Sequence, residues 1–410
     1  MGEYSDESWR NWWLAPFGVF YFGQGYALSA LGLFMPIYLV TVLGVPFAIT
    51  GLALAVIGIP WMLKIIFGAI SDSLAWGRFG RRRPYIILMA LLAAIGWALI
   101  PFFPAFNVVF VATLFLVALA TAFADTTIDG FAVDITPADR RGTLQGMMWG
   151  GRAAGSILGA LATGIIAQAI GWPIVFYLGA IILLVMTGIC ALLKEPAKPS
   201  GRMMWSALKS GFSSKGVWLS LLFTPILTMS FVFYFQWGGL FIEETVVLSL
   251  TEIGLVLALM NTGAAITGFF GGPLADKIGL RRAVAGLVLV QIIGLAALLF
   301  VQPGNLYLAL VIMFIHGLCW GLANIAWLSL AIASCPREVG GTFFSIFAMI
   351  FNIGTMLAVI LSIFIKPAFG WPGLIFTLIA LCLISEFIGI LAASQVKQAT
   401  AIKTPPLEVT

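Results

Sequence analysis

Apolar stretches of about 20 residues, the length a helix needs to cross the hydrocarbon layer of a bilayer, recur through this chain from Leu14 to the region of Leu391. Only 9% of its 410 residues are charged and 61% are hydrophobic, whereas a soluble domain carries roughly 25% charged residues. Its mean hydropathy is +1.09. No long polar segment interrupts the apolar ones, which leaves no room for a separate soluble domain. In lipid every backbone amide must be satisfied within the chain, and the alternation expected of strands is absent. The sequence therefore predicts an all-α membrane protein.

Breaks at Pro, Gly and charge clusters divide the chain into twelve candidate spans between Leu14 and Val396. Lysine and arginine fix their orientation, because cytoplasmic loops retain basic residues. Of 21 basic residues, 18 fall in the termini and alternate loops, among them Arg78 and Arg81–Arg83, Arg140 and Arg141, and Lys277, Arg281 and Arg282. The opposite loops hold only Lys366, and Lys64 and Arg152 lie inside spans. Both termini are thus expected in the cytoplasm, of an inner membrane. Residues 1–11 lack the basic start, short apolar core and cleavage site of a signal peptide, so the first span is expected to remain.

The two halves echo each other. Pro137, Asp139, Gly142 and Thr143 match Pro336, Glu338, Gly341 and Thr342 at an offset of 199, and Gly171-Trp172-Pro173 matches Gly370-Trp371-Pro372 at the same offset. Gly68 and Asp72 match Gly272 and Asp276 at an offset of 204. The change falls largely in one loop, nine steps from Asp72 to Arg81 but five from Asp276 to Arg281. Such a repeat predicts two pseudo-symmetric six-helix bundles. They occupy 1–193 and 217–396, joined by a basic linker at 194–216 and followed by a tail at 397–410.

Gly68, Asp72 and the basic run Arg81-Arg82-Arg83 resemble the cytoplasmic loop signature of the major facilitator superfamily, with a weaker echo at Gly272–Arg282. Within that superfamily, Pro60-Trp61-Met62-Leu63-Lys64, Arg81-Arg82-Arg83-Pro84-Tyr85, Leu144-Gln145-Gly146 and Trp149-Gly150-Gly151-Arg152-Ala153-Ala154-Gly155 resemble the folate–biopterin transporters. Muropeptide permeases and acetyl-CoA transporters share parts of the fourth span and its loop. The resemblance implies the major facilitator fold and secondary transport of a small organic solute by alternating access. A folate or pterin is the first cargo it suggests, with a muropeptide, sugar or drug as the alternative. Spans one, four, seven and ten would line the central path.

Ionisable groups inside a span are costly, roughly 2.5–3.5 kcal/mol each on insertion scales. Lys64, Asp125, Asp129, Arg152, His316 and Glu386 are the candidates. Lys64, Asp129 and Arg152 fall at similar depth, and Asp125 lies one turn deeper on the face of Asp129. Two acids and two bases make a neutral cluster. One reading has Asp125 or Asp129 exchange a proton while Arg152 pairs alternately with it and with an anionic cargo. The plainer reading is a static network that positions three helices, and Lys64 suits that role best. His316, with Asn324 eight residues on, would face the path; a lone histidine is more often a helix contact. Glu386, in an outer helix, is read as structural. Gln24, Gln236 and Asn352 are polar possibilities without a distinguishing pattern.

Asp72, answered by Arg81, Arg82 and Arg83, is expected to gate the cytoplasmic side, with Gly68 and Asp276 part of the same device in the two halves. The row Gly151, Gly155, Gly159 permits close helix approach. It resembles a motif of drug antiporters but lacks their proline, and reads as packing. Cys190, Cys319, Cys335 and Cys382 have no pairing or metal-ligand spacing and read as small buried hydrophobes. A phosphate-binding Walker loop is absent, as is any nucleophile–base pair. The expectation is a monomeric carrier without cofactor, metal or nucleic-acid partner, whose partners are its cargo, the lipid bilayer and protons.

Overall fold

The computed structural model describes residues 14–74, 76, 80–136, 140–193, 209, 211–336 and 340–402. Residues 194–208 and 210 of the basic linker, the 137–139 and 337–339 parts of the matched loops, and the tail beyond residue 402 lie outside them.

Among the described residues the chain is helical. In order, α1 is Ala15–Val42, α2 Phe47–Ser73, α3 Arg83–Phe102, α5 follows α4 (Val108–Ile135) as Arg141–Ala169, and α6 is Trp172–Ala191. The second half repeats the pattern with α7 Lys215–Val246, α8 Leu250–Ile278, α9 Leu280–Phe300 and α10 Leu306–Ser334. A continuous run Gly340–Ile402 then breaks at Gly370, whose φ of 68° no helix accommodates. It is therefore two helices, α11 (340–369) and α12 (371–402), which makes twelve helices of membrane-spanning length among the described residues.

The repeat read from sequence recurs in local geometry. Gly171 (φ 118°) and Gly370 (φ 68°) both take left-handed backbone before a Trp-Pro pair. Proline is pre-organised for a first helical turn, so each Gly-Trp-Pro ends one helix and starts the next. Asn107 caps α4 by accepting the Phe110 N–H at 2.9 Å, and Asn305 caps α10 by accepting the Leu308 N–H at 3.0 Å. Both satisfy an N–H that the first turn would otherwise leave open.

Two compact units emerge. The first holds the described residues within 1–201 together with Phe233–Thr262 and Val301–Phe314; the second holds those within 202–232, Gly263–Phe300 and those within 315–410. This division differs from the sequence halves, because segments of α7, α8 and α10 pack with α1, α2 and α5 in the first unit. There α1 and α7 each unwind locally into wider π-type turns, at Ser29–Phe34 and Phe233–Trp237. A Cβ on Gly32 would collide with the Phe235 carbonyl, and one on Gly239 with that of Leu33. Gly164 meets Gly254 as closely, Gln168 accepts the Leu250 N–H at 3.1 Å, and Phe47 lies 4.6 Å from Trp237. The first unit is thus closed at the end away from Arg81–Arg83.

Side chains such as Ile66, Ile95, Phe269, Phe364 and Phe387 are exposed, an arrangement that suits lipid contact. Inside the first unit Phe17, Phe20 and Tyr21 of α1 pack with Ile128, Phe131 and Ala132 of α4, Leu144 and Met148 of α5 and Cys190 of α6. The glycine row of α5 is a packing stripe, as expected. A Cβ on Gly151 would strike Gly18, one on Gly155 the Phe22 backbone, and one on Gly159 the Tyr26 backbone. Without a hydrophobic drive between helices in lipid, such close backbone approach is a main source of association. Gly155→Val should cost about 1–3 kcal/mol by overpacking, seen as a lower unfolding midpoint in detergent. Gly150→Ala, where nothing lies within 4 Å, should leave the midpoint unchanged.

Candidate functional site

The first unit holds a buried polar cluster where α1, α2, α4 and α5 meet. Its position begins with Pro60. Lacking an N–H, proline interrupts the helical ladder, and α2 tightens over Ile59–Met62 and leaves helical geometry at Leu63. Lys64 opens the second piece of α2 with its ammonium 5.5 Å from the Trp61 ring and forms an ion pair with Asp125 of α4. Gln24 of α1 also bonds Asp125, whose side chain is only 3% exposed.

Asp129 stands one turn along α4. Its carboxylate is 4.0 Å from the same Lys64 ammonium and is 41% exposed. Tyr21 of α1 donates its hydroxyl hydrogen to Asp129. One lysine thus serves two carboxylates, and it sits closer to Asp125.

Arg152 of α5 completes the predicted group. Its guanidinium lies 5.5 Å from the Trp149 ring, and among the described residues no carboxylate stands within 4.0 Å of it. A Cβ on Gly25 of α1 would collide with the Arg152 carbonyl oxygen, which sets Arg152 beside the stretch of α1 that carries Tyr21 and Gln24. The structure therefore brings together Lys64, Asp125, Asp129 and Arg152. It adds Tyr21, which the sequence reading missed because tyrosine inside a span carries no charge signal.

His316 and Asn324 lie in the second unit. His316 turns toward α9, fully buried, with Nδ1 3.2 Å from the Gly294 carbonyl oxygen. This is the geometry of a helix contact and not of a group on an open face. Asn324 is half-buried on α10. At the repeat offset of 199 it stands where Asp125 stands in the first half.

A second charged cluster closes the α2–α3 end. Arg82, 6% exposed, reaches Asp72 at 2.6 Å and Asp134 at 2.8 Å, and Arg81 reaches the same Asp134 at 2.6 Å. Arg82 also lies 3.4 Å from the Ser71 hydroxyl. Gly130 makes the approach possible, since a Cβ there would stand 2.5 Å from the Arg82 Cζ. Asp72 answers Arg82 through its carboxylate and lies 3.4 Å from Arg81 through its backbone carbonyl oxygen. The shared carboxylate is Asp134, and Arg83 instead donates to the Ala191 carbonyl oxygen at 2.7 Å, capping the end of α6. The missed signal was Asp134 itself, an acid at the end of α4 level with the basic loop. Gly68 faces Thr126 of α4, whose methyl would lie 3.6 Å from a Cβ there.

The echo in the second half is not built. Asp276, Arg281 and Arg282 are exposed, with no ion pair among the described residues. Ala333 occupies the position matched to Asp134, so at that place the second half offers its arginines no carboxylate.

Among the described residues, helices of membrane-spanning length and, in the first unit, buried and unequally paired charges mark a polytopic membrane protein. The chain belongs to the Major Facilitator Superfamily, whose model matches residues 17–343 and 240–406. It is 24% identical over 329 residues to the anhydromuropeptide permease of Escherichia coli, covering 77% of this chain and 66% of that one. It is 25% identical over 378 residues to the folate-biopterin transporter of Synechocystis, covering 85% and 73%. The chain thus spans just under two thirds of the permease's length. Among solved structures it is similar to the nucleoside transporter NupG, with a TM-score of 0.78 at 13% identity over 92% of this chain and 99% of that one. A bacterial homolog of the lysosomal transporter Spinster in an inward-facing conformation gives 0.75 at 15% identity over 95% and 98%.

Removing one member of a buried ion network leaves its partners uncompensated, typically at 3–5 kcal/mol. Asp134→Ala, which strips two guanidinium groups at once, should lower the unfolding midpoint clearly more than Asp72→Ala, whose carboxylate is 55% exposed. Equal shifts for the two variants would remove Asp134 as the anchor.

Proposed function

We propose that the chain is a proton-coupled, alternating-access carrier of an anionic organic solute in the inner membrane, with both termini cytoplasmic and two six-helix bundles as the moving parts. One observation carries this reading: Lys64 is shared by Asp125 and Asp129, and Arg152 has no carboxylate partner among the described residues. With both aspartates ionised, the three groups hold one surplus negative charge in a poorly solvated place. A proton on one carboxylate removes that surplus, because two nearby acids do not readily ionise together. Asp125 is buried and bonded to both Lys64 and Gln24, so it serves as the fixed anchor. Asp129 is the more exposed and the more weakly paired, which makes it the proton carrier.

While Asp129 is protonated, Arg152 is available to a cargo carboxylate. When the cargo leaves and the proton dissociates, Arg152 is the nearest uncommitted cation to compensate Asp129. The cycle therefore links cargo and proton through one guanidinium. A folate or pterin is the first cargo to test, which the folate-biopterin relatives support; an anhydromuropeptide is the second. Arg81, Arg82, Asp72 and Asp134 hold the α2–α3 end in one arrangement. Breaking those pairs is the switch between states.

In liposomes, an inward proton gradient should drive accumulation of labelled folate. Asp129→Asn should abolish gradient-driven accumulation and spare exchange of labelled for unlabelled cargo. Arg152→Gln should weaken cargo binding at least tenfold, the loss of about 1.4 kcal/mol or more. Accumulation in Asp129→Asn as in the unaltered protein would refute the assignment of the proton carrier.

A further inference from the structure

The second unit contains a carboxyl that this scheme does not use. Glu386 lies on α12 and is 8% exposed, while its neighbours Leu383, Ile384 and Phe387 are all more than half exposed. The helix thus turns its apolar face outward and its one acid inward. Both Glu386 oxygens are buried without a hydrogen-bond partner among the described residues.

The contacts on either side place it. Cys382, one turn before, approaches the Val288 carbonyl oxygen of α9 at 3.8 Å. Gly389, three residues after, packs so closely that a Cβ would lie 2.7 Å from Phe223 of α7 and 2.8 Å from Val284 of α9. Residues 382, 386 and 389 share one face of a helix, so Glu386 sits in the seam where α12 packs on α7 and α9. The titratable groups on these helices are few. Cys382 is one turn away; Arg281 and Arg282 lie at the exposed start of α9, and Lys215 at the start of α7. None forms an ion pair with Glu386 among the described residues.

An ionised carboxylate buried without a cation or donor costs several kcal/mol, so the group that belongs in such a seam is the uncharged acid. α7 is not a rigid wall there. Pro225 interrupts its ladder, and the regular helix ends at Met229, just before the wider turns at Phe233–Trp237. Movement of α7 away from α12 would let water reach the carboxyl.

We propose that Glu386 is a second proton-binding site, loaded as the neutral acid in this conformation and emptied when the α7–α12 seam opens. The inference rests on the proton-coupled reading for its role in transport. In the step itself the carboxyl O–H bond breaks, the proton passes to a water entering the seam, and the electron pair stays on the carboxylate. A protonated carboxyl in an apolar seam is also the species that a hydrophobic carbodiimide modifies.

The test uses the full-length protein in lipid. The infrared spectrum at neutral pH should contain a protonated-carboxyl band that disappears in Glu386→Gln. Dicyclohexylcarbodiimide should modify Glu386, located by peptide mass mapping. Protons moved per cargo should fall by one in Glu386→Gln. Glu386→Asp, which keeps a titratable group, should restore the count. Unfolding midpoints of both variants separate a folding failure from a lost site. Absence of both band and adduct overturns the proposal regardless of how Asp129→Asn behaves. Their presence with an unchanged proton count also overturns it and leaves Glu386 a structural acid. Failure of the proton-coupled reading shows separately, as accumulation in the unaltered protein that ignores the gradient.

Discussion

The polar cluster depends on how closely α1 and α5 approach. Gly151, Gly155 and Gly159 let α5 lie directly on the backbone of α1 at Gly18, Phe22 and Tyr26. Tyr21 and Gln24 project from the same stretch of α1, and Arg152 projects from the glycine stripe itself. A larger residue anywhere in that row would push the helices apart and carry the Tyr21 hydroxyl away from Asp129. In lipid, where apolar surface gains little from leaving the solvent, backbone proximity does the work that a hydrophobic core does in water. The same contact that assembles the bundle therefore sets the geometry of its charges.

α4 links the two charged clusters. Asp125 and Asp129 lie 40° apart around the helix at 100° per residue, and Gly130 and Asp134 lie together on a nearly opposite side. Asp125 and Asp134 are separated by about 13 Å along the axis. One face of α4 answers Lys64, Gln24 and Tyr21, while the other receives Arg82 and Arg81. A rotation or tilt of this helix cannot disturb one set without disturbing the other. The two charged clusters are thus mechanically joined through a single helix.

Much of this was legible in the residues, and what was not has definite causes. The helices, the glycine stripe and the grouping of Lys64, Asp125, Asp129 and Arg152 follow from hydropathy, spacing and depth, whereas helix packing decides that Lys64 and not Arg152 pairs with the carboxylates. Asp134 escaped because helix depth says nothing about which carboxylate two arginines will share; Gly130 decides it, by leaving space for the guanidinium. Tyr21 is one of eight tyrosines, and only the helix contact selects it. The inward turn of His316 toward Gly294 is likewise a matter of rotation about α10, which sequence periodicity constrains weakly on so uniformly apolar a helix. The division into two units had no sequence signal either. It arises where α7 and α1 unwind against each other, a tertiary event between segments two hundred residues apart.

The two halves keep a common scaffold and have parted in chemistry. The Gly-Trp-Pro turns and the asparagine caps of α4 and α10 coincide, yet the first half's Asp125 and Asp134 face Asn324 and Ala333 in the second. Where the first half has Asp134 the second has Ala333, and Arg281 and Arg282 are exposed. Losing Asp125's counterpart leaves α10 with an amide where α4 has an acid. The second half's buried carboxyl is instead Glu386, on α12, against a helix already weakened at Pro225. Duplication supplied a symmetric frame, whose elements must match for the bundle to close. Charge is under no such requirement, so the two halves can differ in where they bury ionisable groups while keeping one frame.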